Sequence, residues 1–306
     1  MPREIYGREY AFLPRPELLT FEEITRLVRL FVDEGVVKVR LTGGEPLLRR
    51  ELAHLVRMLR KVAGLREITL TTNGSLLARN AVDLAQAGLS RISVSLDALD
   101  DETFARLNDV GFRAGAVLEG IDAAAAAGLR PVKVNMVVRR GVNEESLLPM
   151  ARYFRARGHV LRFIEYMDVG HTNGWRMQDV VPAAEILARL DAAMPLVELP
   201  PRYPGEVASR WAYRDGGGEV GVIASVTRPF CADCTRARVT ADGQLYTCLF
   251  ASVGHDLRGP LRAGADDAEL RDLLRSVWGA RDDRYSEQRT LATVDMARVE
   301  MSRIGG

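Results

Sequence analysis

The chain has no run of 18 apolar residues and no apolar segment behind its first residues, Met1-Pro2-Arg3-Glu4. A membrane-spanning helix needs such a run, and a secretion signal needs such a segment. Opposite charges nearly cancel, with 42 Lys and Arg against 41 Asp and Glu, so the chain is not a general binder of polyanions such as nucleic acids. These absences predict a cytoplasmic protein that contacts neither membrane nor nucleic acid, and any anion site must be local.

Cysteine is scarce as well. The three in the chain are Cys231, Cys234 and Cys248, and an odd number of cysteines cannot all be paired in disulfides. The reducing compartment that we expect for this chain disfavours disulfides further. Because the three fall within one short stretch, their clustering predicts a metal or iron–sulfur site instead.

The remaining composition is that of a folded globular protein. Hydrophobic residues make up 47% of the 306 residues and charged residues 27%, so neither a disordered nor a fibrous chain is expected. The length suffices for one large domain or two ordinary ones with a sizeable core. The sequence shows no internal repeat and no coiled-coil pattern.

Strand and helix patterns alternate over the first half of the chain. Thr20 is the expected N-cap of the first helix, and Glu23 completes a capping box. The alternation predicts right-handed βαβ units and a parallel sheet, which is either doubly wound or a partial (β/α) barrel. The first clear element is a helix, so we expect a strand to be missing in front of it. Strands are predicted over residues 36–41, 67–71, 91–96, 132–138 and 160–166, and helices from Thr20 and over 51–62, 77–87, 114–127 and 145–156.

The pattern changes after Met167. Residues 168–306 mix irregular stretches with helices predicted over 182–193 and 268–278, and with a hairpin turn at Ala241-Asp242-Gly243. We therefore expect two regions, a βα region over residues 1–167 and an extension over residues 168–306.

Polar residues follow each of the five predicted strands. Ligands of parallel α/β folds bind at the carboxyl ends of the strands, so these residues predict one polar cleft. The alternative is that loops after strands are polar in any protein. The residues are Arg40, Thr42, Gly43, Gly44 and Glu45, then Thr71, Thr72 and Asn73, then Ser93, Ser95 and Asp97, then Lys133 and Asn135, and finally Arg162, Glu165 and Met167.

The stretch Gly43-Gly44-Glu45-Pro46 follows the first predicted strand. Glycines at such a position let a ligand approach the backbone closely, and Glu45 with free carbonyls could receive a cationic amine. Pro46 fixes the turn. The motif alone is also an ordinary turn, and its place at the end of a parallel strand favours a ligand site.

The cysteines have the spacing C-x2-C-x13-C. Two thiolates separated by two residues can bind from a single turn, and the third arrives after a hairpin. No histidine stands at a zinc-ligand spacing, and the nearest candidate, His255, lies seven residues past Cys248. Three thiolates without a fourth fit a [4Fe–4S] cluster with one open iron or a catalytic zinc with one open position. Three unrelated buried cysteines are the plain alternative.

The stretch Thr235-Arg236-Ala237-Arg238 follows the second cysteine. On a strand, Arg236 and Arg238 would point to the same side. Two guanidiniums beside a metal suit a phosphate or carboxylate, which arginine grips through two hydrogen bonds. The alternative is a solvated strand face. Lys133 and Arg40, if they share the cleft, would add to a local cationic site that the net charge conceals.

Together these motifs resemble the GTP 3′,8-cyclase family of radical S-adenosylmethionine enzymes, also called molybdenum cofactor biosynthesis protein A. The resemblance covers essentially the whole chain. The stretches that carry it are residues 12–14, 18–23, 40–47, 71–74, 93–97 and 163–167, the cysteine–arginine segment, and residues 302–306.

The resemblance implies a fold, two cofactors and a substrate. The fold would be a partial (β/α)6 TIM-type barrel with a C-terminal iron–sulfur extension. The ligands of a [4Fe–4S] cluster, whose open iron faces the guanine, would be Cys231, Cys234 and Cys248. The residues that contact S-adenosylmethionine would be Gly44, Ser95 and Met167. Those that contact GTP would be Arg40, Thr71, Lys133, Arg236, Ala237 and Arg238. The tail that reaches towards the site would be Gly305 and Gly306.

The implied reaction is the cyclisation of GTP to (8S)-3′,8-cyclo-7,8-dihydroguanosine 5′-triphosphate, a lyase step that opens molybdenum cofactor biosynthesis. A 5′-deoxyadenosyl radical from S-adenosylmethionine would take hydrogen from the ribose C3′, and that carbon would attack C8 of guanine. The protein would position the substrate and exclude water. We expect a homodimer with an unidentified electron donor. The alternatives are a GTP-binding cluster protein without catalysis and a zinc-binding domain that uses the same three cysteines.

The chain departs from the family at its start. The family has an N-terminal strand that ends in C-x3-C-x2-C and holds a second [4Fe–4S] cluster, which generates the radical. This motif is absent from the sequence, and Met1-Pro2 resembles the pair that commonly follows the last of those cysteines. We therefore expect the chain to be trimmed at its front. If it is complete, radical initiation has no source.

Overall fold

Six parallel strands form the centre of the fold. The computed structural model describes residues 13–108, 111–170, 174–289 and 299–305. The strands of the main sheet are β1 (Lys38–Leu41), β2 (Glu67–Thr72), β3 (Arg91–Ser95), β4 (Lys133–Val138), β5 (Val160–Glu165), β6 (Leu196–Leu199), β7 (Ser209–Tyr213) and β8 (Glu219–Ile223). Their order is β1-β2-β3-β4-β5-β8-β7-β6. Strands β1 to β5 and β8 run parallel, and β7 is antiparallel to both of its neighbours.

A second, smaller sheet lies in the extension. It consists of β9 (Arg238–Val239), β10 (Gln244–Tyr246) and β11 (His255–Asp256), which are antiparallel and lie in the order β11-β10-β9. The predicted hairpin turn joins β9 to β10 and is confirmed. The amide of Gly243 donates to the carbonyl of Thr240 at 2.9 Å, and Gly243 has a φ of +83°, a conformation that glycine adopts without strain.

Helices connect and flank the strands. They are α1 (Phe21–Asp33), α2 (Leu52–Arg60), α3 (Leu77–Gln86), α4 (Asp101–Asn108), α5 (Ala114–Ala126), α6 (Leu147–Ala156), α7 (Ala183–Ala193), α8 (Arg258–Arg262), α9 (Asp267–Gly279), α10 (Tyr285–Gln288) and α11 (Met301–Ile304). No helix in the part of the chain that the structure describes is long and apolar enough to span a bilayer.

The start of α1 shows the capping box that the sequence predicts. The amide of Glu23 donates to the Thr20 hydroxyl at 3.1 Å, and the amide of Thr20 donates to the Glu23 carboxylate at 2.7 Å. These bonds satisfy amides that have no partner inside the helix. Asp266 and Glu269 form the same arrangement at the start of α9.

The two faces of the parallel sheet differ in polarity. In β4, Val134, Met136 and Val138 are fully buried in the main hydrophobic core, whereas the alternate residues Lys133 and Asn135 are only half-buried. Successive side chains of a strand point to opposite faces, so one face packs under the helices and the other is polar. A doubly wound sheet would be covered by helices on both faces. The fold is therefore the partial barrel, with its polar face inside.

The five predicted parallel strands are confirmed, each within two residues at either end. The parallel pairing of strand β8 with β5 and the presence of helix α4 were not predicted. Strand β8 comes after the β6–β7 hairpin and pairs in parallel with β5, so the sheet continues beyond residue 167. The helices predicted over 182–193 and 268–278 correspond to α7 and α9.

The extension packs on the first helix of the barrel. A second hydrophobic cluster joins Leu27 and Leu30 of α1 to Leu270 and Leu274 of α9, and it includes Leu245 of β10. Arg26 of α1 also forms an ion pair with Asp267 of α9 at 2.8 Å. This packing places the small sheet, and with it the cysteine segment, against the barrel.

Candidate active site

Strand register brings polar side chains together on the inner face. Thr71 of β2, Ser93 of β3 and Lys133 of β4 are neighbours across the sheet. One step further along, Ser95 lies beside Asn135, which lies beside Arg162 of β5. All of these residues project from the same face, because they are separated by even numbers of residues along each strand.

Two arginines meet at one hydroxyl on this face. The Nη1 atom of Arg40 donates to Thr71 Oγ1 at 2.8 Å and lies 3.5 Å from Ser93 Oγ, and the Nη2 atom of Arg162 donates to the same Ser93 oxygen at 2.9 Å. Gly221 of β8 is paired with Arg162, and a Cβ there would come within 3.0 Å of Arg162 Cγ. The glycine therefore leaves space for the arginine side chain.

Positive charge exceeds negative charge on the inner face. Glu67 forms ion pairs with Lys38, at 3.2 Å, and with Arg91. Within residues 13–108, 111–170, 174–289 and 299–305, no carboxylate forms an ion pair with Arg40, Lys133 or Arg162. We call these three residues the cationic trio. Like charges that are close together and not neutralised favour the binding of an anion.

Burial and neighbouring cations lower the pKa values of the trio. Burial and the charges of Arg162 and Arg91 lower the pKa of Lys133 to about 8. Burial and the charge of Arg40 lower the pKa of Arg162 to about 10. Both groups therefore carry a positive charge at neutral pH, and a bound anion would stabilise that charge.

The loop after β1 is tied to the loop after β2 by Glu45. Its carboxylate accepts hydrogen bonds from the amide of Leu47 at 3.0 Å, the hydroxyl of Thr72 at 2.7 Å and the amide of Asn73 at 2.7 Å. Three protein donors thus hold the Glu45 carboxylate in place, and its expected contact with a cationic amine stays a prediction. Gly43, with a φ of +142°, makes the turn in front of it.

The residues predicted to contact S-adenosylmethionine lie at three strand ends. Gly44 follows β1, Ser95 ends β3, and both are exposed to solvent. Met167 follows β5 and packs with Tyr166 against a small apolar cluster that contains Trp175. All three are at the carboxyl edge of the sheet, where ligands of such folds bind. Their contact with S-adenosylmethionine stays a prediction.

The three cysteines are half-buried beside the small sheet. The amide of Cys234 donates to the carbonyl of Cys231 at 3.1 Å, so the first two lie on one turn. The Nη2 atom of Arg236 donates to Cys234 Sγ at 3.4 Å, and the amide of Phe250 donates to Cys248 Sγ at 3.4 Å. Hydrogen bonds to sulfur of this kind are typical around iron–sulfur clusters.

Two of the thiols differ in acidity. Burial opposes ionisation of Cys234. The positive charge of Arg236, the backbone amide of Arg236 and a hydrogen bond from Arg281 outweigh burial and lower the pKa of Cys234 to about 7. Burial raises the pKa of Cys248, against the weaker effect of the Phe250 amide. Cys234 is thus prepared to bind a metal as thiolate, whereas Cys248 gives up its proton more readily with a cation present.

The donor set, three thiols without a fourth ligand, is compatible with a [4Fe–4S] cluster. Among the described residues, no three His, Cys, Asp or Glu side chains are grouped so that they could share one metal ion. Ligands of a zinc ion all lie on one tetrahedron, whereas the ligands of a [4Fe–4S] cluster bind different irons and stay further apart. His255, the candidate fourth ligand, is an exposed residue of β11 opposite Leu245.

The expectation that both arginines of the cysteine segment lie on a strand is only partly right. Arg238 begins β9, but Arg236 precedes it and its guanidinium lies 5.0 Å from the Phe230 ring centre. Ala237 between them is exposed. The charges of the two arginines still act on each other, and burial and the Arg236 charge lower the pKa of Arg238 to about 10.

The tail approaches the loop after β1. The Nε atom of Arg238 donates to the carbonyl of Gly305 at 3.3 Å. Gly305 has a φ of +71°, and a Cβ there would overlap Thr42 Cγ2. The Arg303 guanidinium also pairs with Asp242 at 2.8 Å. Gly306 lies outside the described residues.

Three side-chain atoms of the site are buried and have no hydrogen-bond partner among the residues described. They are Asn135 Oδ1, Arg162 Nε and Arg236 Nε. Buried polar atoms are normally satisfied, so atoms of this kind in one cleft are typical of a ligand site. The sequence reasoning placed Ser93, Asn135 and Arg162 at the cleft but gave them no ligand. The alternation Arg91-x-Ser93-x-Ser95 and Lys133-x-Asn135 is the signal that could have assigned them to one face.

Comparison with known proteins agrees with this geometry. The family model of the radical SAM superfamily matches residues 5–154, and that of Molybdenum Cofactor Synthesis C matches residues 159–287. A solved structure described as native anSMEcpe with bound AdoMet has a TM-score of 0.52 at 17% identity, over 81% of this chain and 69% of that one, which supports the fold.

Three relatives are named GTP 3′,8-cyclase. That of Acidothermus cellulolyticus is 57% identical over 95% of this chain and 82% of its own length. That of Xanthomonas axonopodis pv. citri is 52% identical over 100% of this chain and 91% of its own length. That of Staphylococcus haemolyticus is 44% identical over 100% of this chain and 91% of its own length. The chain therefore belongs to the radical SAM superfamily and, within it, to the GTP 3′,8-cyclase family.

Proposed function

We propose that this chain cyclises GTP to (8S)-3′,8-cyclo-7,8-dihydroguanosine 5′-triphosphate, the first step of molybdenum cofactor biosynthesis. The observation that carries the proposal is the cationic trio on the inner face of the barrel, which has no carboxylate partner among the described residues. A triphosphate is the anion that matches three converging cations. The names of the relatives, at 44–57% identity over nearly the whole chain, support the same substrate.

The trio and the cysteine segment would share the substrate between them. Arg40, Lys133 and Arg162 would hold the phosphates, because charge-assisted hydrogen bonds to phosphate are the strongest that these groups form. Thr71 and Ser93 would orient the two guanidiniums for this contact. Arg236, Ala237 and Arg238 would meet the part of GTP nearest the cysteines.

Membership of the radical SAM superfamily implies a [4Fe–4S] cluster and S-adenosylmethionine. We propose that Cys231, Cys234 and Cys248 hold a cluster in the extension. When bound, such a cluster supplies an iron that is not coordinated by the protein and can accept a ligand atom from the guanine. Arg236 and the Phe250 amide would stabilise the thiolates by the hydrogen bonds described above. At the barrel, Gly44, Ser95 and Met167 would bind S-adenosylmethionine.

The residues present do not fit a second cluster on the barrel. Residues 5–154, which match the radical SAM model, contain no cysteine. The alternative function is a cluster protein that binds GTP without cleaving S-adenosylmethionine. The two functions share the substrate site and differ in whether 5′-deoxyadenosine forms.

The two family models divide the chain between residues 154 and 159, and the proposed binding sites divide in a similar way. We propose that residues 1–167 bind S-adenosylmethionine and phosphate and that residues 168–306 hold the cluster and the tail, with β8 of the extension completing the parallel sheet. We also propose a cytoplasmic homodimer, which sedimentation of the purified chain would test.

Anaerobic reconstitution followed by calorimetry tests the proposal. We expect iron and sulfide of about four each per chain, and binding of GTP that is much tighter than that of GMP, since GMP lacks the phosphates that the trio would hold. One zinc per chain, or equal affinity for GTP and GMP, would overturn it. Formation of 5′-deoxyadenosine from S-adenosylmethionine under a chemical reductant supports the cyclase, and its absence with intact GTP binding supports the alternative function.

A further inference from the structure

A short segment, Arg281–Arg289, contacts both parts of the cysteine site. We call it the clasp. Arg281 donates to the carbonyl of Cys234, and the carboxylate of Glu287 accepts from the amide of Ala232 at 3.2 Å. Tyr285 stacks on Phe250, with ring centres 4.4 Å apart and planes 21° apart. The clasp thus contacts the first cysteine turn and the loop that follows the third cysteine.

The clasp is anchored on the barrel by a buried ion pair. Nε of Arg289 donates to Asp168 at 2.9 Å, and the Tyr285 hydroxyl donates to the other carboxylate oxygen at 2.6 Å. The side chains of Arg289 and Asp168 are 4% and 1% exposed, the most buried ion pair among the described residues. Arg289 also donates to the carbonyl of Ser225 at 3.2 Å.

The charges of this pair are maintained despite burial. Burial alone would raise the pKa of Asp168, but the hydrogen bonds from Tyr285 and Arg289 outweigh it and lower the pKa. The Arg289 guanidinium lies 5.5 Å from the Phe250 ring centre and 5.7 Å from that of Tyr285. The Arg289 guanidinium thus contacts both stacked rings and the Asp168 carboxylate at once. These contacts leave it little freedom to move, so the Phe250 loop is held at a fixed distance from Asp168.

Asp168 follows Met167 directly, and Phe250 follows Cys248 by two residues. The ion pair therefore joins the strand end expected to contact S-adenosylmethionine to the loop expected to hold the cluster. We propose that Asp168, Tyr285 and Arg289 are positioning residues that hold the Cys248 loop in place relative to Met167. This role rests on the proposed cluster and S-adenosylmethionine sites, although the contacts themselves do not.

Alkylation of the metal-free chain tests the clasp without a cluster. Arg289→Gln removes the positive charge and shortens the side chain, so the ion pair breaks and the Cys248 loop should open more often. Iodoacetamide must reach the sulfur to react with it, and an open loop gives better access, so we expect Cys248 to react about tenfold faster. Arg275→Gln, which breaks an exposed ion pair with Glu34, is the matched control and should change the rate less than about twofold.

Tyr285→Phe keeps the ring on Phe250 and removes only the hydroxyl. We expect Cys248 to react about threefold faster, a smaller effect than that of Arg289→Gln because the ion pair stays in place and the loop opens less often. This variant decides the question if Arg289→Gln does not fold. A wild-type Cys248 rate in a folded Arg289→Gln protein, or in Tyr285→Phe where the first does not fold, would overturn the proposal.

The reconstituted protein provides a spectroscopic readout. In Arg289→Gln and Tyr285→Phe the electron paramagnetic resonance g-values of the reduced cluster should differ from wild type, because the Phe250 amide would shift against Cys248 Sγ. Wild-type g-values in both variants would count against positioning. Failure of the wild-type chain to take up iron would remove the proposed cluster, whereas the alkylation rates would still report on the clasp.

Discussion

The sheet and the cysteine segment bring charge to the site in different ways. On the sheet, Arg40, Ser93 and Arg162 meet because strands in register place alternate residues on one face. Around the cysteines, Arg236 contacts a sulfur and Arg238 contacts the tail, and each has its own partner. Position on the sheet is thus set by the backbone ladder, and position in the extension by single side-chain contacts. A substitution on the sheet should therefore weaken GTP binding and leave the iron content unchanged, whereas a cysteine substitution should lower the iron content.

Removing a cysteine should have the largest effect, and that effect should be on the iron content. Cys248→Ser replaces a thiolate with a hydroxyl, which binds iron far more weakly, so we expect iron to fall from about four per chain to below about one. Iron and sulfide analysis after anaerobic reconstitution measures this. Arg162→Gln on the sheet should keep its iron. If Cys248→Ser keeps the full iron content, the cysteine segment is not the cluster site.

Neutralising the cationic trio should affect the nucleotide rather than the metal. Arg162→Gln removes a charged donor that has no carboxylate partner among the described residues, so we expect GTP binding to weaken by about 1.5–3 kcal/mol. Calorimetry measures the change. Arg210→Gln is the matched control on the same sheet, because Arg210 is already paired with Glu219 at 2.8 Å, and it should bind GTP with wild-type affinity. An equal loss in both variants would show a general charge effect instead.

The pH dependence of GTP binding should identify Lys133. Burial, with the charges of Arg162 and Arg91, lowers the pKa of Lys133 to about 8, so its ammonium group is present below that pH and is lost above it. GTP affinity should therefore fall as the pH rises from about 7 through about 8. Calorimetry at several pH values measures this, and Lys133→Gln should bind more weakly with a flat profile in that range. A wild-type profile in the variant would assign the titration to another group.

The tail should give the smallest effect. In Gly305→Ala the new Cβ would meet Thr42 at a φ that alanine adopts only with strain, so the tail should detach while the body stays folded. We expect trypsin to cleave after Arg303 several-fold faster, with a melting temperature close to wild type. Gly115→Ala, where a Cβ meets nothing within 4 Å, is the control. A large drop in melting temperature would instead place the tail in the stability core.

The barrel could be predicted further from sequence than the extension, and the reason is physical. The five strands carry runs of β-branched residues with a helix pattern between them, and both periods are visible in a single sequence. The pairing of strand β8 with β5 was not predicted, because a hairpin between the two strands interrupts the alternation. Its partner choice is a property of the folded sheet and not of residues 219–223.

The site divides in the same way. The strand ends predicted a polar cleft, and alternation along the strands explains why Ser93 and Arg162 belong to it. The hydrogen-bond partners of Glu45 could not be predicted, since its three donors include residues of the next loop. The contacts of Arg289 with Asp168 join positions more than a hundred residues apart, and no spacing or period in the sequence indicates them.

The Ser93 hydroxyl that Arg40 and Arg162 share affects the stability of the folded protein without ligand. One oxygen can accept from two donors but carries no charge, so it aligns the two guanidiniums without cancelling their repulsion. The two guanidiniums therefore repel each other in the folded state, and a bound polyphosphate would compensate this repulsion. Any such ligand should raise the unfolding temperature through mass action, so inorganic triphosphate alone should protect the chain against heat.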